Sequence, residues 1–363
     1  MNQTPAVGTT VKSNYDVLLA GDGNDVLLDG DGVSNAAGGA GNDVLTIALR
    51  KGWRDANGQA RFAGLAAGYG NDVVEMNPHS LAMIVNGEVR QDVLADYVAV
   101  LRNFDLRYTI HGLNRLNLAY DPRHALCQQI MRCQLEVCRA VGAGILVYHS
   151  GLQALDQVQY GVRPTLLSDE ELLAGAAQEV AALRELASIA AEAGVIIGME
   201  NGDSHQWEHT LLAQFGRPSA DLSKHHARLH IPPIVRQLED IDHPNVAMTL
   251  DIAHLHIAAH DMGFDYLTAI EQAAPWVKHL HANDNFGRLD QGFNGEVDRW
   301  AYGEADIHLP PGWGSIPYTE VFARLPDYQG DLILEIKAGF ADYFGESLKT
   351  IQVVVDSMGQ DES

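Results

Sequence analysis

The chain has 363 residues, of which 46% are hydrophobic and 20% charged, enough apolar material for one large core, which excludes a disordered or collagen-like polypeptide. Its 24 Lys and Arg stand against 48 Asp and Glu, a formal charge of -24, so its field repels polyanions and argues against nucleic acid or an anionic membrane as a partner. No apolar run nears the roughly 18 residues needed to span a bilayer, and the start lacks a basic stretch followed by an apolar one, so a cytoplasmic protein is expected.

Residues 1–42 read as a separate Gly/Asp-rich segment. Gly38 to Thr46 fits the calcium-binding nonapeptide G-G-x-G-x-D-x-U-x, and Ala20 to Leu28 nearly does. The two lie two nonapeptides apart with a degenerate stretch between them, and a third GNDV at Gly70 to Val73 is out of phase. Two or three units offer too few neighbouring turns to complete calcium sites. A loosely ordered lead-in is therefore expected, with a non-catalytic, calcium-dependent binding module as the alternative reading.

From residue 43 the sequence alternates short β-branched strands with helical stretches. The strands are expected at 43–50, 72–77, 107–112, 145–150, 195–201, 246–254, 278–284 and 331–337, eight in all. Between them lie amphipathic helices, the longest spanning 168–194. Ser168 stands three residues before Glu171, a capping box, and Gly194 closes the helix. Cys127, Cys133 and Cys138 share one predicted helix and are expected as buried, reduced thiols. Alternating strands and helices pair in parallel, and eight such units close into an α/β fold of the (β/α)8 TIM-barrel type over residues 43–363.

Active sites in such barrels form at the carboxyl ends of the strands. Those ends carry His111, His149, Glu200, Asp251 with His254, His281 with Asp284, and Glu335, and Asp306-Ile-His308 follows the seventh strand. Carboxylate and imidazole ligands suit manganese, zinc or a similar divalent ion. A single buried His or strand-end Glu would be unremarked; their joint placement carries the argument.

These residues resemble those of the xylose-isomerase-like TIM-barrel superfamily, which holds sugar isomerases and epimerases, inosose dehydratase and the endonuclease IV family. The resemblance covers roughly residues 43–358. It implies one divalent ion on Glu200 (GMENG), Asp251 (LDIAH), His281 (HLHAND) and Glu335 (LILEIK). The fuller endonuclease IV pattern adds His111, His149, His254, Asp306 and His308, and implies up to three ions. One would be held by His111, His149 and Glu200, a second by Glu200, Asp251, His281 and Glu335, and a third by His254, Asp306 and His308.

An abasic-site nuclease with a trinuclear zinc site is thus the main alternative, but it must neutralise phosphates. The loops 201–209 and 283–308 carry more acids than bases. They also bring Trp207, Phe286, Phe293, Trp300 and Tyr302, with Trp313 just beyond, whose faces can stack on a sugar. The favoured substrate is a small carbohydrate, keto-sugar or cyclitol, without phosphate because Arg115, Arg163 and Arg288 are scattered. A metal chelated by adjacent carbonyl and hydroxyl oxygens acidifies the neighbouring C–H and stabilises an enediolate. By resemblance to the epimerases, Glu200 and Glu335 are the acid/base pair; His149 and His254 are either further ligands or proton shuttles. Isomerisation, epimerisation and β-elimination share these residues, and a homo-oligomer is compatible with all three.

Overall fold

The computed structural model describes residues 73–358 apart from 103, 105 and 292–295, and before residue 73 the backbone of five short strands. Val73–Met76 (β1), Arg107–His111 (β2), Ala143–His149 (β3), Ile196–Glu200 (β4), Val246–Asp251 (β5), Val277–Ala282 (β6) and Asp331–Leu334 (β7) form one sheet of seven strands in sequence order. Every neighbouring pair is parallel. The crossovers carry helices, among them Gln91–Leu101 (α1), His124–Val141 (α2), Asp169–Ala193 (α3), Gln206–Gln214 (α4), Ile231–Ile241 (α5) and Ile252–Met262 (α6), and Phe344–Met358 (α7) follows the last strand. The last strand comes round towards the first, and Arg107 Nη1 on β2 meets Asp331 Oδ1 on β7 at 2.6 Å. The result is a nearly closed parallel barrel of the TIM type.

Strand alternation sorts the side chains. Val74, Met76, Ile110, Leu146, Tyr148, Ile197, Met199, Met248, Leu250, Leu280 and Leu334 join the buried cluster shared with the helices. The residues between them, Glu75, Thr109, His111, His149, Glu200, Thr249, Asp251, His279 and His281, fall on the opposite face, towards the lumen. That lumen, packed with branched aliphatics in an ordinary TIM barrel, is here largely polar. Gly198 keeps it narrow, because a Cβ there would collide with Thr249 Oγ1.

The longest helix, α3, starts and stops where its sequence predicts. Ser168 accepts from Glu171 N, Glu171 Oε2 accepts from Ser168 N at 2.8 Å, and Gly194 adopts φ 70° at the C-cap. Its buried Glu179 accepts from Tyr148 Oη at 2.6 Å, Gly151 N at 2.6 Å and Gln237 Nε2 at 2.7 Å. Glu179 thereby pins the turn that follows His149. Glu179→Ala leaves three buried donors without an acceptor and should cost about 3–5 kcal/mol. Urea unfolding that shows under about 1 kcal/mol would refute this role.

Two expectations about strands are corrected. The stretch 43–50 does not join the barrel sheet, which has seven strands and not eight; Val44–Ile47 pairs instead with Val26–Asp29. That ladder, and the one joining Tyr15–Leu19 to Val33–Ala37, both run parallel at an offset of 18 residues. These strands therefore pair with one another, one of them in the degenerate unit. The Gly/Asp turns between these strands lie outside the described residues. The second correction is at 246–254, where β5 stops at Asp251 and helix α6 begins. Asp251 caps that helix, its Oδ1 accepting from Ala253 N at 2.8 Å and His254 N at 2.7 Å.

Candidate metal centre

Strand register assembles the centre. His149 pairs with Glu200 across β3 and β4, and Asp251 with His281 across β5 and β6, all at carboxyl ends. Asn201 locks β4 to β5: its Nδ2 donates to Asp251 O and its Oδ1 accepts from Asp251 N, both at 2.9 Å. Glu335 follows β7 directly, and its backbone N donates to Ala282 O at 3.0 Å.

His281 is the hub. Its Nδ1 lies 3.0 Å from Glu200 Oε1, 3.4 Å from Glu335 Oε2 and 4.0 Å from Asp251 Oδ2. His149 Nε2 stands 2.8 Å from Glu200 Oε2, and the His111 ring lies 5.1 Å from that of His149 and 6.0 Å from that of His281. His254 Nδ1 is 3.7 Å from Asp251 Oδ2 and 3.9 Å from Glu200 Oε1. Asp306 Oδ2 sits between His254 Nε2 at 3.4 Å and His308 Nε2 at 2.6 Å, and His308 Nδ1 donates to Glu335 O at 2.6 Å.

The donor set fits a divalent ion. Both carboxylate oxygens of Glu200, Oδ2 of Asp251, Oδ1 of Asp306 and Nδ1 of His281 are buried with close ionic neighbours but no well-aligned hydrogen bond, a costly state that a cation relieves. Ligand atoms within 4.8 Å of one another are offered by His111, His149 and Glu200, by Glu200, Asp251 and His254, and by Asp251, His281 and Glu335. The first trio has the residues of the first ion position in the sequence pattern; the other two share Asp251, and one of them includes His254, which the pattern assigns to the third ion. Among the described residues, His254, Asp306 and His308 do not make such a trio; they are linked through Asp306 alone.

The field inside the centre is uneven. Burial would raise Glu335, but His281 and His308 outweigh it and hold the carboxyl at about 2. Burial dominates at Asp251 and, with Glu335, Asp306 and Glu200 nearby, overrides the pull of His254 and pushes it up to about 7. Burial lowers His149 to about 4 despite Glu200. At His308 the opposing effect of burial is overcome by Asp306, which lifts it to about 9.

Two further residues belong to this constellation and were not read from the sequence. Glu75, mid-strand in β1, reaches His281 Nε2 at 3.0 Å and His279 Nε2 at 2.9 Å. Their only local signal is a polar residue inside an otherwise apolar strand. Asp284, by contrast, faces away and folds a loop, accepting from Asn285 N at 2.9 Å, Gly312 N at 2.8 Å and Ile316 N at 3.2 Å.

The aromatic residues divide. Trp207 packs on a satellite cluster of Leu155, Leu211 and Leu212, and Phe286 lies against Gly303 and Arg288. Trp300 lies tilted against Phe340, ring centroids 4.9 Å apart, with its indole nitrogen buried and unpartnered, while Trp313 donates to Glu346 Oε1 at 3.0 Å and is 37% exposed. Phe293 lies outside the described residues. Cys127, Cys133 and Cys138 are buried and free, and no helix among the described residues is long and apolar enough to cross a membrane.

A family model described as xylose isomerase-like TIM barrel matches residues 63–352. Comparison with curated protein sequences finds no match. Among solved structures, a D-tagatose 3-epimerase-like protein superposes with TM-score 0.56 at 18% identity, covering 80% of this chain and 91% of its own. The 3-keto-D-glucoside 4-epimerase YcjR from E. coli gives 0.51 at 16% identity, over 78% of this chain and 89% of its own. The IOLI protein with a bound zinc atom gives 0.50 at 16%, over 78% and 86%.

Proposed function

The chain belongs to the xylose isomerase-like TIM-barrel family, and on that premise we propose that it is a divalent-metal-dependent sugar isomerase or epimerase acting by proton abstraction beside a carbonyl. The observation that carries the reading is the convergence of Glu200 and Glu335 on His281 Nδ1, at 3.0 and 3.4 Å, each arriving from a different strand. One manganese or zinc ion held by Glu200, Asp251, His281 and Glu335 would polarise adjacent carbonyl and hydroxyl oxygens of the sugar.

The protein's own groups do the rest. Glu335 is the open carboxylate, with 27% of its side chain exposed against 1% for Glu200, so its Oε2 is placed to take a proton from the substrate carbon. Glu200, with His149 Nε2 at 2.8 Å, is the second carboxylate of the proposed acid/base pair. His254, between Asp251 and Asp306, is suited to hold a substrate hydroxyl or a further ion. Trp300 and Trp313, with Phe340 between them, supply apolar faces for a sugar ring. The partner is a neutral carbohydrate: Arg299 is turned to Asp290 at 3.4 Å and Arg288 to Tyr302 O at 3.1 Å, leaving neither set for a phosphate.

A screen of sugars and 3-keto-sugars in deuterated water with added manganese tests this. Deuterium should enter the carbon next to the carbonyl of at least one substrate, whatever the product. No exchange across the panel, together with metal-dependent cleavage of an abasic duplex, would replace the sugar reading with the nuclease.

A further inference from the structure

We infer that Glu75 is the positioning residue that fixes His281 as a metal ligand, from beneath, through the ring nitrogen that does not face the ion. This rests on the metal centre proposed above. A neutral imidazole has one N–H and one lone pair, and the partner of the first decides where the second points. His281 is fully buried, its Nδ1 turned to Glu200, Glu335 and Asp251 and its Nε2 3.0 Å from Glu75 Oε1. With the proton on Nε2, the nitrogen that faces Glu75 Oε1 at 3.0 Å, the lone pair on Nδ1 is aimed at the cluster of carboxylates.

Glu75 is itself held from two strands. Its register partner on β2 is Thr109, whose Oγ1 donates to Oε2 at 2.9 Å, and the same oxygen lies 2.9 Å from His279 Nε2 on β6. His279 and His281 are two apart on one strand face, so the acid touches successive layers of the lumen. A carboxylate in the interior of a barrel carries a desolvation cost that an apolar side chain would not. Its polar contacts to Thr109, His279 and His281 lead to the ligand or brace the acid that reaches it. A carboxylate on the outer nitrogen orients a ligating histidine and raises its basicity, and loss of such a partner typically weakens metal binding about 10–100-fold.

The competing geometry makes Glu75 a ligand itself, since its oxygens also lie within 4.8 Å of ligand atoms of His111 and Glu335. Number of ions bound separates the two. Zinc should be titrated into the metal-free full chain against a chromophoric chelator, for wild type, Glu75→Gln and Thr109→Val. The expected result for Glu75→Gln is affinity weakened about 10–100-fold with the number of bound ions unchanged and the metal-free far-UV spectrum preserved. Thr109→Val, which strips only a brace, should change affinity by less than about threefold, below the effect of losing the outer carboxylate itself.

Wild-type affinity in Glu75→Gln, or loss of one whole ion, overturns the inference. A second measurement needs no variant: in zinc-loaded wild type with 15N-labelled histidine, His281 should be metallated at Nδ1 and protonated at Nε2, and the opposite tautomer overturns it equally. Wild type that takes up no zinc at all removes the centre itself, a different failure from wild-type binding that Glu75→Gln leaves untouched.

Discussion

Glu335→Gln should lower deuterium exchange into a sugar substrate by about 10²–10⁴-fold, the range that a positioned acid/base group supplies, with the protein still folded and its thermal midpoint lowered by the loss of the ionic contacts to His281 and His308. The substitution keeps side-chain volume and removes only the ionisable oxygen. Its main chain stays anchored, since Glu335 N donates to Ala282 O and Glu335 O accepts from His308 Nδ1. The side chain is the most open of the four proposed ligands, so little packing depends on it. Glu200→Gln should cost comparable turnover and also stability, because Glu200 is 1% exposed and lies 2.8 Å from His149 Nε2 and 3.0 Å from His281 Nδ1. Replacing a buried, paired carboxylate by an amide leaves at least one buried partner badly matched, about 1–3 kcal/mol. Both variants should therefore lose turnover while remaining folded. Near-wild-type exchange in Glu335→Gln would remove it from the proton transfer.

Much of this arrangement was legible in the sequence because a barrel strand writes its orientation as alternation. In LDIAH and HLHAND a charged or imidazole residue closes an apolar run, and the fold places every such residue at one end. What escaped did so for physical reasons. Glu75 sits inside VVEM, and nothing local says whether a mid-strand acid faces the lumen or solvent; only its approach to His281 from the facing strand does. The stretch 43–50 looks like a barrel strand because GND precedes Val26, Val44 and Val73 alike. Which of them enters the barrel is decided by register, and Val44–Ile47 is taken by the strand 18 residues before it. At DIAH the apolar residues hid a helix start that depends on one oxygen of Asp251. Trp313 belongs to a mouth loop by position, yet its indole is committed to Glu346 on the last helix, a contact no window of sequence contains.

Added manganese or zinc should raise the thermal midpoint strongly near pH 8 and hardly at all near pH 5. A ligand at a thousand times its dissociation constant stabilises by about 4 kcal/mol, and protons compete for the same atoms. Asp251 uses Oδ1 to cap α6, so Oδ2 is the oxygen left for an ion; in the metal-free protein burial and neighbouring acids push its carboxyl up to about 7. His281 is likewise raised, Glu75, Glu335 and Glu200 overcoming the effect of burial, and must shed its proton from Nδ1 to bind. The signs then agree. An acid whose folded value exceeds its unfolded one weakens the metal-free fold progressively as pH climbs from about 4 towards 7, and in that same window a cation displaces a proton and gains affinity. Each proton released makes binding about tenfold weaker per pH unit of descent below 7. Melting curves with metal and with chelator at pH 5, 6, 7 and 8 give the difference directly. A metal-induced shift that is the same at all four values would mean that the ion does not bind through Asp251 and His281, and the centre would have to be sought elsewhere.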